Sequence, residues 1–323
     1  MVSKAGLRYI AVHPGQGAQS LGMALDFYRQ SPRVARLFDL ASSLSGQDMY
    51  RLLESGTEAD LARTRNTQVA VALASRAAVL RAAEEGMEPV GAAGFSLGEL
   101  PALVCAGVLD DEALFSILVE RGRCMAQAVE DMEKQGRKLG MAAVLGLDFG
   151  TVETILTAHN IQDVYCANDN SPSQVVVAGD TAAIDALGPL LKEKGARRMV
   201  PLKVSGPFHT PLMAGAVVPF ASFLNTIAFQ NPRLPFVSSV TGDWVESGDD
   251  ARSACASQLV RPVRWTRVME RLRARYRELG CRCLLETGPG KVLTSFWGQD
   301  GECPAYPAGT EENLQKIKED MQA

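Results

Sequence analysis

The sequence predicts an α/β protein: a large subdomain with a short parallel sheet, residues 1–138 and 205–323, interrupted by a smaller βαββαβ unit over 139–204. Three observations carry this expectation. Pro89-Val-Gly-Ala-Ala-Gly94 is small and apolar enough for a buried strand, and it runs through a tight small-residue turn into the helical pattern that starts at Glu99. Leu7-Arg-Tyr-Ile-Ala-Val12 reads as a first, mostly buried strand and ends in the glycine-rich loop Pro14-Gly-Gln-Gly-Ala-Gln19. Residues 139–204 then change character, with the order strand, helix, strand, strand, helix, strand that defines a ferredoxin-like module.

Composition bounds the function. At 323 residues, with 46% hydrophobic and 22% charged side chains, the chain can bury a sizeable core. The 33 basic against 37 acidic residues give a net charge of −4, so there is no global basic field for nucleic acid or an anionic membrane, and an acidic partner needs a local patch. The seven cysteines are an odd number, sit mostly in apolar settings and include no C-x-x-C pair, which predicts buried reduced thiols rather than disulfides or zinc ligands. Met1-Val-Ser-Lys-Ala-Gly lacks the apolar core of a signal peptide, and no run reaches membrane-spanning length. A cytoplasmic protein is expected.

Between Met23 and Leu80 the periodicity is helical, ending in the long run Gln68–Leu80, for which Asn66 or Thr67 is a plausible N-cap. Asp110 or Asp111 is expected to cap a helix carrying Leu114, Ile117, Leu118, Arg121, Met125 and Val129 along one stripe. Arg121 falls on or beside that stripe, either as a snorkelling side chain or as a guanidinium waiting in a pocket for a carboxylate. In the inserted unit the expected elements are Met141–Leu147, Thr151–His159, Asp163–Ala167, Gln174–Ala178, Thr181–Lys194 and Arg198–Val204. After it come a helix to about Ile227, a strand Phe236–Val240, a helix near Arg252–Leu259, an arginine-rich helix Trp265–Leu279, a strand Arg282–Glu286, the turn Gly288-Pro-Gly-Lys291 and a polar tail ending in a surface helix.

The turn Gly94-Phe-Ser-Leu-Gly98 places a serine between glycines at minus two and plus two, the pattern of a nucleophile elbow. Its hydroxyl would project at a helix N-terminus, where free N–H groups can hold an oxyanion. A serine nucleophile needs a base, and the chain has only three histidines. His13 precedes the glycine loop and His159 ends a helix of the insert. His209 stands between Pro207 and Pro211 in a rigid loop and is the expected base.

Taken together and in order, these motifs resemble the malonyl-CoA:acyl carrier protein transacylases and the acyltransferase domains of polyketide synthases. The matching stretches are Pro14-Gly-Gln-Gly-Ala-Gln19, Thr67-Gln68, Gly94-x-Ser-Leu-Gly-Glu99, Arg121-Gly122 followed by Met125, Asn168-x-Asn-Ser-Pro with Gln174-Val-Val-Val-Ala-Gly179, Phe208-His-x-Pro-Leu-Met213, Gln258-Leu-x-x-Pro-Val-Arg-Trp265 and Glu286-x-Gly-Pro-Gly-Lys291. They span nearly the whole chain, and the order is more specific than any one of them.

The resemblance implies that Ser96 takes a malonyl group from coenzyme A and passes it to the phosphopantetheine thiol of an acyl carrier protein. It implies an α/β-hydrolase-like large subdomain, no bound cofactor or metal, no nucleic acid or membrane partner, and a monomer. Carried over by position, His209 is the base, a backbone carbonyl near Gln258 orients its imidazole, and the backbone N–H groups of Gln16 and Leu97 form the oxyanion hole. Arg121 holds the malonyl carboxylate, and Gln68, Met125, Phe208 and Asn168 support the site. Two positions depart from the family pattern: Phe95 stands where histidine is common, and His13 where an aromatic residue is common. Phe208 is the residue of the malonyl-selective members and fills the space that a branched acyl group needs.

Two other classes share some of these features. An α/β-hydrolase also has G-x-S-x-G but places its acid and then its histidine late in the chain, and no histidine follows His209 here. A non-catalytic carrier-protein scaffold would leave serine, histidine and arginine without a task. Within the transacylase reading, fatty-acid and polyketide pathways use the same chemistry on the same acceptor arm.

Overall fold

The computed structural model describes residues 6–204, 206–298 and 303–322. Met1–Ala5, on which most of the reading of the N-terminus rests, and Ser205, where the large subdomain is expected to resume, lie outside the described residues. Among the described residues the strands are β1 (Leu7–His13), β2 (Met87–Gly94), β3 (Leu139–Leu145), β4 (Val164–Ser171), β5 (Gln174–Asp180), β6 (Arg198–Pro201), β7 (Phe236–Val237), β8 (Val263–Arg264), β9 (Cys283–Glu286) and β10 (Ala305–Pro307).

They make two sheets. The first is parallel throughout, in the order β10-β9-β1-β2-β7. Strand β1 alternates strictly between two cores: Tyr9 and Ala11 join the larger cluster on one face, Ile10 and Val12 the smaller cluster on the other. A strand buried on both faces is what a parallel sheet covered by helices requires. The β1–β2 register shifts once between Tyr9 and Ile10, beside Pro89, which has no N–H to give to the ladder. The helix Thr64–Glu84 crosses the larger core and buries residues all round its circumference, among them Val69, Leu73, Ala77 and Ala82. Its lack of a polar face reflects that central position.

The second sheet has the order β6-β3-β5-β4-β8. Its first four strands pair antiparallel, and the helices Phe149–Ala158 and Thr181–Glu193 cover one face with Val152, Ile155, Ile184 and Leu187. The fifth strand was not expected from the sequence. β8 comes from beyond the 139–204 unit and lies parallel to β4, Val263 opposite Asn168 and Arg264 opposite Asp169, so it ties the returning chain to the small sheet.

Several local expectations are corrected. The helix Thr64–Glu84 starts earlier than the Asn66 or Thr67 cap requires. Both side chains lie in its first turn and reach back to the preceding helix, Asn66 Nδ2 donating to Asp60 O at 2.9 Å and Thr67 Oγ1 to Leu61 O at 2.6 Å. Asp110, not Asp111, caps the helix Asp111–Lys134, accepting from Ala113 N at 2.8 Å. The strand expected over 236–240 is only Phe236–Val237, and the arginine-rich helix ends at Arg275. The tail helix Glu311–Gln322 is docked rather than free on the surface: Leu314 and Ile317 are buried, and Glu311 receives the Arg81 guanidinium at 2.6 Å. The cysteines are free thiols, buried except for half-buried Cys105. No helix among the described residues is long and apolar enough to cross a membrane.

Candidate active site

The site begins where β2 ends. Ser96 follows Gly94 and Phe95, holds the left-handed backbone (φ 52°), and opens a single 3-10 turn, Ser96–Gly98, that feeds the helix Glu99–Cys105. The two glycines of the motif are required by close approach. A Cβ on Gly94 would lie 2.0 Å from the Gly98 carbonyl oxygen, and one on Gly98 would lie 2.1 Å from the carbonyl oxygen of His13. Gly15 brings the first glycine loop against the elbow, since a Cβ there would stand 2.7 Å from the Phe95 carbonyl oxygen. Gln16 follows at once and lines the same cavity as Ser96. Leu97, second in the 3-10 turn, has an N–H for which the turn supplies no acceptor.

Ser96 Oγ lies 2.6 Å from His209 Nε2, and His209 Nδ1 lies 2.9 Å from the main-chain oxygen of Gln258. A carbonyl can only accept, so Nδ1 carries the proton and Nε2 presents its lone pair to the serine hydroxyl. The place of a triad carboxylate is taken by that carbonyl. The histidine is held from its backbone as well, its N–H donating to Leu259 O at 3.1 Å. Burial, and then the positive charge of Arg121, push the imidazole down to about 4. It is therefore neutral, and able to accept a proton, across the physiological range.

Arg121 comes from the helix Asp111–Lys134 and is 1% exposed. Its guanidinium donates to two neutral oxygens, Gln68 Oε1 and Gln258 Oε1, the latter at 2.7 Å, while Nε has no partner. Burial pushes its pKa down to about 10, so the group stays charged at neutral pH without a carboxylate in contact. Its charge is thus held by carboxamides, with no counter-ion in contact. Gln68 is placed in turn by Gln16, its Nε2 donating to Gln16 Oε1 at 3.4 Å.

Eight of the ten expected residues meet around one cavity of about 70 Å³, lined by Gln16, Gln68, Ser96, Arg121, Met125, Asn168, Phe208 and His209 together with Phe95, Met141, Leu202 and Val204, while Gln258 is bonded to His209 and Arg121 and Leu97 follows Ser96 in the turn. Met141 of β3 and Asn168 of β4 join the turn that follows β2 in these walls, which explains why the small βαββαβ unit bears on the site. A second cavity of about 220 Å³ adjoins it, sharing Gln16, Phe95, Asn168 and Leu202 and adding Asn170, Gln174, Val176, Leu293 and Phe296. Phe95 packs edge-on against Trp265 with ring centroids 5.6 Å apart. The other histidines lie elsewhere. His13 is buried, bonded through Nδ1 to Thr287 Oγ1 at 2.9 Å, and His159 ends the helix Phe149–Ala158 on the surface.

Sequence reasoning did not give roles to two residues that the geometry brings in. Asn170 and Asn168 both leave a buried side-chain oxygen without a partner, and both line the second cavity. Glu99, read only as the start of a helix, is 2% exposed and accepts from Gln258 Nε2 at 3.1 Å. Its signal was an acidic residue between Leu97 and Leu100 on an otherwise apolar stretch. The arginines 267, 271 and 275 are paired locally: Arg267 and Arg271 share Asp243 at 2.8 and 2.7 Å, and Arg275 pairs with Glu278 at 3.1 Å.

The chain matches the family model of the acyl transferase domain over residues 10–296. A malonyl CoA-acyl carrier protein transacylase of Haemophilus influenzae is 38% identical over 293 residues, 90% of this chain and 91% of the relative. The crystal structure of an acyl carrier protein S-malonyltransferase from Vibrio cholerae is similar with a TM-score of 0.87 at 35% identity, covering 96% of this chain and 99% of that one. A type II polyketide acyl-carrier protein in complex with its malonyl-transacylase gives a TM-score of 0.88 at 35% identity, over 97% and 99% of the two chains. With an elbow serine, a histidine held by a carbonyl and a buried arginine in one cavity, and with likeness along almost its whole length, this chain belongs to the malonyl CoA-acyl carrier protein transacylase family of acyl transferases.

Proposed function

We propose that the chain transfers a malonyl group from malonyl-CoA to the phosphopantetheine thiol of an acyl carrier protein, in ping-pong order, through an ester on Ser96, for fatty-acid synthesis. The observation that carries the choice of acyl group is Arg121, a buried cation whose contacts are neutral carboxamides, in the same cavity as Ser96 and His209. An acyl chain that ends in a carboxylate supplies the missing anion, and a bidentate pair with the guanidinium fixes the thioester carbonyl over the serine.

In the first half-reaction Ser96 Oγ attacks the thioester carbon while His209 Nε2 takes the hydroxyl proton. The oxyanion is held by the backbone N–H groups of Gln16 and Leu97. Collapse breaks the C–S bond, and His209 returns the proton to the departing coenzyme A sulfur. The second half-reaction reverses these steps, with the carrier-protein thiol giving its proton to His209 and attacking the ester. Nucleophile, base and oxyanion donors all come from the chain, so no resident cofactor enters the scheme. The second cavity supports the reading, since its apolar walls suit the pantetheine arm and the unpartnered oxygens of Asn168 and Asn170 suit its two amide N–H groups. Phe208, 6% exposed against the acyl cavity, favours malonyl over branched acyl groups.

We further read residues 139–204 as an inserted subdomain, on the strand order β6-β3-β5-β4, and the enzyme as a cytoplasmic monomer, on the family resemblance. The second reading, a polyketide role for the same transfer, is supported by the likeness to a transacylase complexed with a type II polyketide carrier protein. Radiolabelled malonyl-CoA followed by a denaturing gel tests the main reading. Label retained on the chain, absent from Ser96→Ala and released by a carrier protein is the expected result; label absent from the wild type, or present in Ser96→Ala, overturns it.

A further inference from the structure

A carboxamide can sit either way round, and its neighbours decide which way. Gln258 Nε2 has two acceptors, the Ser96 main-chain oxygen at 3.1 Å and Glu99 Oε2 at 3.1 Å, while Oε1 receives Arg121 Nη2 at 2.7 Å. Turning the group over would set its NH2 against the guanidinium, donor against donor, and its oxygen against a carboxylate. Together with the Ser96 carbonyl, Glu99 makes the choice one-sided, because the Ser239 N–H, a donor only, marks Glu99 Oε2 as an acceptor. The carboxylate is itself clamped by Ser238 Oγ at 2.8 Å, Ser239 N at 3.1 Å and the Ser239 hydroxyl, all just beyond β7. Burial raises its own pKa, and its charge, after that of Cys255, opposes the burial that lowers the pKa of Arg121.

We propose that Glu99 is a positioning residue for the arginine: by holding the carboxamide of Gln258 in one orientation, it fixes the direction in which Arg121 is presented to the substrate carboxylate. This rests on the reading of Arg121 given above. The main-chain oxygen of Gln258, which orients His209, is held separately by the helix Gly248–Ser257, whose last turn receives Gln258 N on Ala254 O at 2.9 Å. Loss of Glu99 therefore strikes recognition of the malonyl carboxylate more than the chemistry at Ser96.

The test compares acylation of Ser96 by malonyl-CoA and by acetyl-CoA in the full chain. Glu99→Asp keeps the charge but withdraws the carboxylate by one methylene from Gln258. Glu99→Gln gives up the charge but can place its oxygen where Oε2 stood and its NH2 toward the Ser238 hydroxyl. The expected result is a rise of about tenfold in KM for malonyl-CoA with Glu99→Asp, with kcat and the acetyl reaction changed by less than about threefold. Glu99→Gln is expected to stay within about threefold of wild type for both substrates. In a Gln258→Met background, Glu99→Asp should add less than about twofold, since the link is already gone. Glu99→Asp that slows both substrates alike, or neither, overturns the proposal. If that variant does not fold, Ser238→Ala, which loosens the clamp, must show a smaller rise confined to malonyl-CoA, and its absence is equally decisive. Arg121→Met run in parallel separates the two failures: if it impairs both substrates equally, the reading of Arg121 fails, whereas selective loss there without selective loss in Glu99→Asp defeats only the role of Glu99.

Discussion

Ser96 and His209 stand 113 positions apart in sequence, yet both hold left-handed backbone, φ 52° and 63°, and their Oγ and Nε2 atoms lie 2.6 Å apart. Neither residue adopts that conformation cheaply, and surrounding structure has to impose it. At Ser96 the imposition comes from the crossing of Gly94 and Gly98; at His209 it comes from the two bonds to the Gln258–Leu259 backbone. Ser96→Ala is expected to abolish acyl-enzyme formation, and His209→Ala to slow it by about a thousandfold or more, with the fold kept. Single-turnover acylation with labelled malonyl-CoA, alongside thermal melts, checks both; near-normal acylation by Ser96→Ala would end the serine mechanism.

Arg121→Ala is expected to cost about 2 to 4 kcal/mol in malonyl transfer and to impair acetyl transfer much less. Arg121→Lys should recover only part of the loss, because an ammonium cannot reach both carboxylate oxygens as the fork does. Values of kcat/KM for the two thioesters read this out, and equal losses would make Arg121 structural.

The acid limb of acylation reports His209. The folded pKa lies below the ordinary 6.5, at about 4, so the base stays neutral on lowering the pH through 6 and 5 and is lost only near 4. Arg121 is the second cause of that depression. In Arg121→Met, followed with acetyl-CoA, the limb should therefore move up toward 6.5. An acid limb already near 6.5 in the wild type would contradict the buried environment of the imidazole.

His13 bears on stability rather than catalysis. It is fully buried, its Nε2 has no partner, and burial followed by the charge of Arg76 pushes it down to about 3. The unfolded chain takes up a proton at about 6.5 that the folded chain refuses, so stability is full above 6.5 and is lost as the pH falls. The loss should reach about 2 kcal/mol by pH 5. His13→Phe, which restores the aromatic residue of the family pattern, should flatten that part of the curve. Denaturant melts at pH 7 and pH 5 decide it: an unchanged difference between the two pH values would exonerate His13.

Reversing Arg267 and Arg271 to Glu is expected to leave carrier-protein capture unchanged, because both guanidinium groups are already engaged with Asp243 at 2.8 and 2.7 Å. These half-exposed pairs contribute no more than about 1 kcal/mol. Weaker capture at low ionic strength would instead make this arginine stripe a docking face for the carrier protein.

Much of this molecule is written locally. The G-x-S-x-G turn, the glycine loop after β1 and the proline-bracketed His209 each depend on backbone geometry that a few adjacent residues impose, and they could be read from the sequence with their chemistry. The strand and helix order of 139–204 follows from periodicity for the same reason. Periodicity says nothing about what lies across a core. The parallel pairing of β8 with Asn168 and Asp169, the burial of Leu314 and Ile317 of the tail helix, and the sharing of Asp243 by two arginines are contacts between distant segments. Only packing brings such segments to one place. Arg121 shows where the two kinds of information meet. Its place on the apolar stripe was legible, but whether it snorkelled to solvent or turned inward depended on Gln68 from one helix and Gln258 from another, 53 and 137 residues away, because a buried charge survives only where the tertiary structure delivers hydrogen-bond partners to it.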